Sequence, residues 1–411
     1  MVGESCSLLG LLILFAASTL PASDLQTEGL QALDHQQFAQ AEQIFTKLTE
    51  QDPKDYTAYF NLALAESGLQ KRDQALTHYR KVLELKPNLF EAELNLGILY
   101  LRNRQSTDAI PLLEDAVKQK PDQPRAKRYL ADALLASGKA AEARDLYKQA
   151  LQSDPKLAAA ELGLGQSLVA LGSLDEAAPH YRQAATLDGN LKSYLLELAT
   201  AFEKANRPAD AVPLLKEFPS DVAAREELGR LYLNLNRPGD AVVEFEESVA
   251  ASPTAANRLA LATAYLKNNQ PDLATPILEQ ALAASPNDYE LHMVVGRLRR
   301  DRHSYVEAAK EFTTAARIKP DSVDAWNEAA TAFVLSDQYP EALAALDKVH
   351  SLNGDTPGDL YYRAIVYDKL HQVKQALASY ELFLQSSSGK FPDQEFIARQ
   401  RSRILAKEAN R

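Results

Sequence analysis

The sequence predicts an all-α solenoid made of antiparallel helix pairs, closed by a C-terminal capping helix. The first observation is an alanine that recurs in steps of 33 or 34 residues, with a single step of 30. It stands at Ala41, Ala75, Ala109, Ala143, Ala177, Ala211, Ala241, Ala274, Ala308, Ala342 and Ala376. A sequence period of this length is typical of two packed helices that repeat along the chain.

Two further positions test this register independently. Twelve residues before the alanine, all eleven repeats carry a small residue: Gly29, Ala63, Gly97, Ala131, Gly165, Ala199, Gly229, Ala262, Gly296, Ala330 and Ala364. Four residues after it, all eleven carry a bulky one: Phe45, Tyr79, Leu113, Tyr147, Tyr181, Leu215, Phe245, Leu278, Phe312, Leu346 and Tyr380. Because a small side chain lets helix axes approach, the first helix (A) is expected to cross the second (B) there.

Residues between and after the helices fit the same reading. Leucine precedes the small position in most repeats, as at Leu62 and Leu96, which extends the buried stripe of helix A. Residues that accept a positive φ fall between helices A and B, at Gly138, Gly172, Asn206, Asn236 and Asn269. Proline follows the recurrent alanine by twelve residues in seven repeats, where it is expected to end helix B.

The combined pattern resembles the tetratricopeptide repeat. Repeat three carries Leu96-Gly97, Tyr100, Ala109, Ala116 and Pro121 at the offsets of that signature. The resemblance covers about residues 22–390 as eleven repeats. It implies a right-handed superhelical solenoid in which helices A form a concave wall, the usual ligand surface of such proteins.

We expect four segments along the chain. Residues 1–23 are interpreted as a signal peptide, 24–221 as repeats one to six, 222–390 as repeats seven to eleven, and 391–411 as the capping helix. The boundary at 221 follows from repeat six, which is four residues short. In the last segment Phe396, Ile397, Ile404 and Leu405 are expected to face inward, because solenoid ends need a polar outer surface.

The first residues predict export. The run Leu8 to Leu20 is apolar apart from Gly10, Ser18 and Thr19, and small residues follow it. Its 13 residues match the apolar region of a secretory signal and are too few for a comfortable membrane span, which takes about 20. A short uncleaved anchor is the alternative. We therefore expect a periplasmic or secreted mature chain without a transmembrane span.

Composition and motifs point away from several function classes. The net charge of −11 disfavours nucleic-acid binding, because phosphate contacts need a basic surface. The only cysteine is Cys6, so cysteine-built metal sites are excluded, and the seven histidines show no metal-ligand spacing. Phosphate-binding and nucleophile-elbow motifs are missing. The sequence thus predicts a chain that is not an enzyme and holds no cofactor or metal.

A binding surface remains the main hypothesis. By the resemblance, the concave wall carries an apolar strip, an asparagine and scattered arginines: Phe60, Leu64, Leu94, Asn95, Ile98, Arg125, Arg128, Arg230, Arg297 and Arg300. The strip suits an amphipathic helix or extended peptide, with ordinary packing between repeats as the alternative. The arginines of 297–302 suit carboxylates or an anionic glycan. Their alternative is a solvated face balanced by Glu290, Asp301 and Asp324.

These observations favour an exported scaffold that binds proteins or peptides and assembles complexes. One rival is an accessory of polysaccharide processing or secretion that contacts an anionic glycan. Another is the recognition module of a separate enzyme. The identity of the partner, the pathway and the oligomeric state do not follow from the sequence.

Overall fold

The protein was analysed as a computed structural model, which describes residues 24–409. The predicted signal peptide lies outside the described residues. The described chain holds twenty-three α-helices and no strand. It divides into two compact units, and the division falls between Leu214 and Leu215 of the sequence. The predicted boundary at residue 221 stays a prediction.

The first unit contains helices α1 to α11 and all of α12 except its last residue. They are α1 (Asp24–Asp34), α2 (Phe38–Gln51), α3 (Tyr56–Gly68), α4 (Arg72–Leu85), α5 (Phe90–Arg102), α6 (Ser106–Gln119), α7 (Pro124–Ala136), α8 (Ala140–Ser153), α9 (Ala158–Ala170), α10 (Leu174–Leu187), α11 (Tyr194–Lys204) and α12 (Pro208–Leu215). From α1 to α11 each helix packs against the next, and helices A also touch in the pairs α1/α3, α5/α7 and α7/α9. This pattern of neighbour contacts is that of a solenoid.

The second unit contains the remaining eleven helices. They are α13 (Val222–Asn234), α14 (Pro238–Ala251), α15 (Ala255–Lys267), α16 (Pro271–Ala284), α17 (Tyr289–Asp301), α18 (Tyr305–Ile318), α19 (Val323–Leu335), α20 (Tyr339–Asn353), α21 (Pro357–Lys369), α22 (Val373–Ser387) and α23 (Pro392–Ala409). Consecutive helices again pack in order from α13 to α23. The predicted all-α solenoid of helix pairs is confirmed in both units.

The small position of helix A is where the bulky residue of helix B packs. A Cβ atom added to Gly229 would lie 2.7 Å from Cζ of Phe245, and one at Gly296 would lie 2.6 Å from Cε1 of Phe312. A Cβ at Gly165 would lie 2.7 Å from Cδ2 of Tyr181. Real Cβ atoms do not approach other heavy atoms so closely, so the predicted close crossing of helices A and B is confirmed.

The turns between helices A and B adopt the left-handed conformation in every repeat. Gly138 and Gly172 have φ of 80° and 79°, and Asn206, Asn236 and Asn269 have φ between 55° and 58°, as predicted. Six further turns place Gln, Arg, His or Asp there: Gln36, Gln70, Arg104, His303, Asp337 and His371. These side chains strain the backbone by about 1–2 kcal/mol each. The repeat geometry therefore outweighs local preference at these turns.

Repeat six is irregular, as its length predicts. Its helix B, α12, has 8 residues, whereas the helices B of the other repeats have 14 or 15. A short 3-10 helix, Gly189–Leu191, precedes α11. The four missing residues are thus taken mainly from helix B.

The C-terminal helix corrects one expectation. Helix α23 packs on α22 as predicted, and Leu405 is buried with 1% of its surface exposed. Phe396, Ile397 and Ile404 are instead 62%, 48% and 44% exposed. The prediction of an inward apolar stripe is wrong for these three, because the inner face of α23 is made by Glu395, Ala398 and Leu405.

Candidate functional site

The predicted apolar strip is buried. Phe60, Leu64, Leu94 and Ile98 are between 1% and 3% exposed, and Asn95 is fully buried. Phe60 meets Tyr79 edge-on with ring centroids 5.5 Å apart, and Asn95 donates to the Tyr79 hydroxyl over 3.3 Å. These contacts match packing between helices, the alternative interpretation given above. The strip therefore offers no open surface for a partner.

The predicted arginines of repeat four take part in a polar cluster on α7. Arg128 Nη1 lies 2.7 Å from Asp132 Oδ2, and its guanidinium stacks over Tyr129 at 3.5 Å from the ring centroid. The Asp132 side chain remains 29% exposed and that of Arg128 15%. Arg125 lies on the same helix and is exposed. This arrangement holds a charged pair at the surface in one geometry.

A tyrosine of helix B holds the Asp132 carboxylate in place through a hydrogen bond. The Tyr147 hydroxyl on α8 donates to Asp132 Oδ1 over 2.6 Å. The ring reaches α7 because Gly163, on the neighbouring helix α9, leaves room for it. A Cβ at Gly163 would lie 2.6 Å from the Tyr147 hydroxyl oxygen and closer still to the ring carbons. Gly163 had no evident role in the sequence, and the structure gives it one.

In the next two repeats a tyrosine of helix B also holds a carboxylate, but on the helix A that follows it and not on the one that precedes it. The Tyr181 hydroxyl on α10 donates to Glu197 Oε1 of α11 over 2.8 Å. Gln166 of α9 donates through Nε2 to Glu197 Oε2 over 3.2 Å. We call Arg128, Asp132, Gln166 and Glu197 the polar face of repeats four to six. All of it lies within the first unit.

Burial affects the pKa of Asp132 and of the two tyrosines. It raises the pKa of Asp132 above the usual value, against the opposing effects of the Arg128 charge and the Tyr147 hydrogen bond. Burial, together with the adjacent carboxylates, raises the pKa of Tyr147 and of Tyr181 far above the ordinary range. Both phenols are therefore neutral donors at any physiological pH.

In the second unit the predicted arginines are engaged with carboxylates. Arg297 Nε lies 3.1 Å from Glu328 Oε1, and Arg300 pairs with Glu328 and Asp301. Arg230 pairs with Glu227 on its own helix. The other two arginines of the basic run pair with carboxylates of further helices, Arg299 with Glu311 at 2.5 Å and Arg302 with Asp272 at 2.5 Å.

These ion pairs identify the carboxylates that balance the positive charge of residues 297–302. The expected balance by Glu290 and Asp324 is wrong, because the partners are Glu328, Glu311, Asp272 and the correctly predicted Asp301. Four guanidinium groups thus face four carboxylates. An external anion would have to displace contacts that the chain already makes.

Sequence reasoning missed a different basic cluster. Arg72, Arg102 and Arg104 line one cleft between the A–B turns of repeats two and three. None of them forms an ion pair within residues 24–409. They are scattered in the sequence and meet only because successive repeats stack, so no local run marks them. Arg72 and Arg104 lie near the A–B turns of successive repeats, so only a comparison of equivalent regions of the two repeats relates them.

Histidines and carboxylates form pairs, not larger clusters. His78, His180 and His292 each accept or donate a hydrogen bond at Nδ1 with a glutamate, over 2.6 to 2.8 Å. Among the described residues no group of three or more potential metal ligands occurs. The A–B turn histidines, His303 and His371, are exposed. Within the same residues no helix is long and apolar enough to span a bilayer.

Comparison with known families decides the relationship of the chain. The family model described as tetratricopeptide repeat matches residues 27–90, 94–158, 162–217, 196–256, 259–323 and 296–356. A second model with the same description matches residues 134–185. The chain belongs to the tetratricopeptide repeat family. The predicted resemblance is thereby confirmed over most of the sequence.

Solved structures with some similarity include MamA proteins. MamA from Desulfovibrio magneticus RS-1 is 23% identical with a TM-score of 0.39, and the match covers 40% of this tetratricopeptide repeat chain and 94% of that one. MamA from AMB-1 is 23% identical with a TM-score of 0.39, covering 41% and 99%. MamA from MSR-1 is 22% identical with a TM-score of 0.38, covering 40% and 95%. Among curated proteins, none matches the chain.

Proposed function

We propose that this chain is an exported, non-enzymatic scaffold that binds protein segments along its helices A and assembles complexes. Its family membership supports the proposal, because stacked tetratricopeptide repeats expose an extended surface made by equivalent helices. Each repeat contributes a few contacts to such a surface. Affinity then comes from their sum along the ligand.

The polar face of repeats four to six is the observation that carries this proposal. Each oxygen of Asp132 and Oε2 of Glu197 accepts one hydrogen bond and keeps a second acceptor site, whereas Glu197 Oε1 accepts from both Tyr181 and Gln166. Their geometry is set by buried tyrosines, so little side-chain entropy is lost when a ligand arrives. We infer that a partner segment donates N–H groups here, from its backbone or from Lys and Arg.

The test is affinity capture with the mature chain as bait and quantitative mass spectrometry of the bound proteins. The site variant is Gln166→Ala/Glu197→Ala. The matched control is Gln183→Ala/Glu176→Ala, which removes the same residue types from exposed positions of α10. We expect a set of proteins bound by the wild type and the control to fall at least about tenfold in the site variant, which corresponds to about 1.4 kcal/mol.

Two results would contradict the proposed binding surface. One is equal recovery of every protein by the site variant and the control. The other is that no protein is enriched over beads without bait. Far-UV circular dichroism on all three baits separates lost binding from lost folding.

Export is a separate part of the proposal and has its own test. The apolar run from Leu8 to Leu20 supports it. The full-length chain, expressed with a C-terminal tag, is expected to begin close to residue 24 when its N-terminus is sequenced. Recovery of an intact N-terminus in a membrane fraction would favour the uncleaved anchor.

A glycan-contacting accessory is the second candidate, and the arginines outside ion pairs favour a particular place for it. The cleft with Arg72, Arg102 and Arg104 has guanidinium groups to offer, whereas Arg297 and Arg300 are engaged. Salt-sensitive binding of an anionic polysaccharide should therefore be lost in Arg72→Gln/Arg104→Gln and kept in Arg297→Gln/Arg300→Gln. If the wild type does not bind the polysaccharide, this candidate function is contradicted.

A further inference from the structure

Helix α23, the last helix of the described residues, is a helix A whose outer face no other described helix covers. Ala398 follows Ala364 by 34 residues and is fully buried, so α23 continues the repeat register as a twelfth helix A. Ile397 then stands at the leucine position, where Leu62 and Leu96 are 3% and 2% exposed. Ile397 is 48% exposed. Within the described residues no helix B follows α23 to cover it.

The exposed face of α23 has an internal two-fold pattern. Gln400 lies at its centre, and Phe396 and Ile404 lie four residues on either side of it. Asp393 and Lys407 lie seven residues on either side. Residues separated by four and seven positions share one face of an α-helix. All five of these residues are exposed.

This pattern is self-complementary when two such helices run antiparallel and cross at Gln400. Phe396 then opposes Ile404 of the second copy, and Asp393 opposes Lys407 of the second copy. The two-fold axis repeats each contact, so the interface has two aromatic–aliphatic contacts and two ion pairs. An isologous interface of this kind is the commonest way in which identical chains associate.

Three other charged residues of α23 already have partners. Arg399 pairs with Glu395 at 2.7 Å, and Arg401 makes two contacts of 2.6 and 2.7 Å with Asp368 of α21. Asp393 and Lys407 form no ion pair within residues 24–409. Opposite charges are thus available at the two ends of the exposed face, in the order that an antiparallel copy requires.

We propose that the chain forms a homodimer through α23, with two copies packed antiparallel about Gln400. The helix has 18 residues and is about 27 Å long. A single pair of helices of this length is a small interface, so the dimer is expected to dissociate on dilution. The dimer covers Phe396 and Ile404, which accounts for apolar side chains on the exposed face of α23.

The test is sedimentation velocity of the purified full chain over a range of concentrations. Wild type is expected to shift from monomer to dimer as concentration rises. Phe396→Ser/Ile404→Ser is expected to remain monomeric. Asp393→Lys and Lys407→Asp each bring two pairs of like charges together, which should weaken dimerisation about tenfold.

Exchanging the charges of Asp393 and Lys407 is the decisive experiment. The double variant Asp393→Lys/Lys407→Asp restores opposite charges and should recover the wild-type dissociation constant at low salt. An equimolar mixture of the two single variants should form mixed dimers more tightly than either variant alone. A wild type that is monomeric at every concentration, or a dimer that ignores these variants, overturns the proposal. Unchanged helicity by circular dichroism shows that each variant is folded.

Discussion

At the scale of single residues, the structure explains positions that carry no signal in isolation. Gly163 is the clearest case. It interrupts the polar residues at its repeat position, where Asn61 and Asn95 stand in repeats two and three. Its role appears only with the neighbouring helix in view, because the missing Cβ lets Tyr147 reach Asp132.

We predict that Gly163→Ala lowers stability although alanine is the better helix former. The added Cβ would overlap the Tyr147 ring, and overpacking of this kind costs about 1–3 kcal/mol. The hydrogen bond to Asp132 should be lost as the ring moves. Thermal unfolding checks the first effect. Gly189→Ala is the control, since nothing lies within 4 Å of its Cβ position. Equal melting temperatures of the two variants would contradict the prediction.

A second residue-scale prediction concerns pH. Burial raises the pKa of Asp132 in the folded chain above its unfolded value. Between those two values the folded state binds more protons, so the contribution of Asp132 to stability falls as pH rises. An asparagine at this position would not titrate but would keep an oxygen acceptor for Tyr147. The melting temperature of Asp132→Asn relative to wild type should therefore increase as the pH rises from the unfolded pKa of Asp132 through its raised folded pKa.

Asp145 provides a control of opposite sign. A hydrogen bond from Arg144 lowers the pKa of this exposed carboxyl. Its contribution to stability is therefore present above the unfolded pKa and lost as pH falls. Relative to wild type, Asp145→Asn should not gain stability as pH rises. Parallel curves for the two variants would rule out the assigned cause.

At the scale of elements, most of the fold follows from the sequence. The helix pairs, their turns and the short helix B of repeat six are all predicted by the repeat register. What fails is the assignment of faces. Phe60 and Leu94 are buried and Phe396 is exposed, because the faces that a helix covers depend on its neighbours and not on its own pattern. For the same reason, no local motif predicts the role of Tyr147 or the cluster of Arg72, Arg102 and Arg104.

Small and bulky positions are matched in pairs across each repeat. Phenylalanine occurs at the bulky position of helix B only in repeats with glycine in helix A, as in Gly229 with Phe245. Repeats with alanine in helix A carry tyrosine or leucine, as in Ala262 with Leu278. The Cβ contact of 2.7 Å at Gly229 explains why alanine is not paired with phenylalanine at these positions.

We predict a favourable coupling between these two positions. Gly229→Ala should destabilise the chain by about 1–3 kcal/mol, and Phe245→Leu should destabilise it through lost burial. The double variant copies the pair of repeat eight and should cost less than the sum of the single changes. A double-mutant cycle on thermal or urea unfolding measures the difference. Strict additivity would show that the two positions pack independently.

At the scale of the whole molecule, contacts run mainly between consecutive helices. Within each unit a helix packs on the helices before and after it, with a few contacts to the next helix but one. A disturbance should therefore fade within a repeat or two. The net charge of −11 is spread over this array, and its basic run is neutralised locally.

Hydrogen exchange can test this locality. Gly296→Leu forces a side chain against Phe312, between α17 and α18. Amide protection should fall in these two helices and in the adjoining α16 and α19. Helices α22 and α23 of the same unit should keep wild-type exchange. Uniform loss of protection across residues 215–409 would show that this unit opens as one cooperative body.

Because the Tyr147 ring occupies the space left by Gly163 of α9, the repeats cannot be exchanged freely. A repeat inserted after the fourth would need a glycine at the position of Gly163. Without it, Tyr147 could not donate its hydrogen bond to Asp132. Repeat four therefore keeps its polar side chains in place only beside a neighbour with a small residue at this position. In this part of the array the order of the repeats decides whether the Asp132 carboxylate is held.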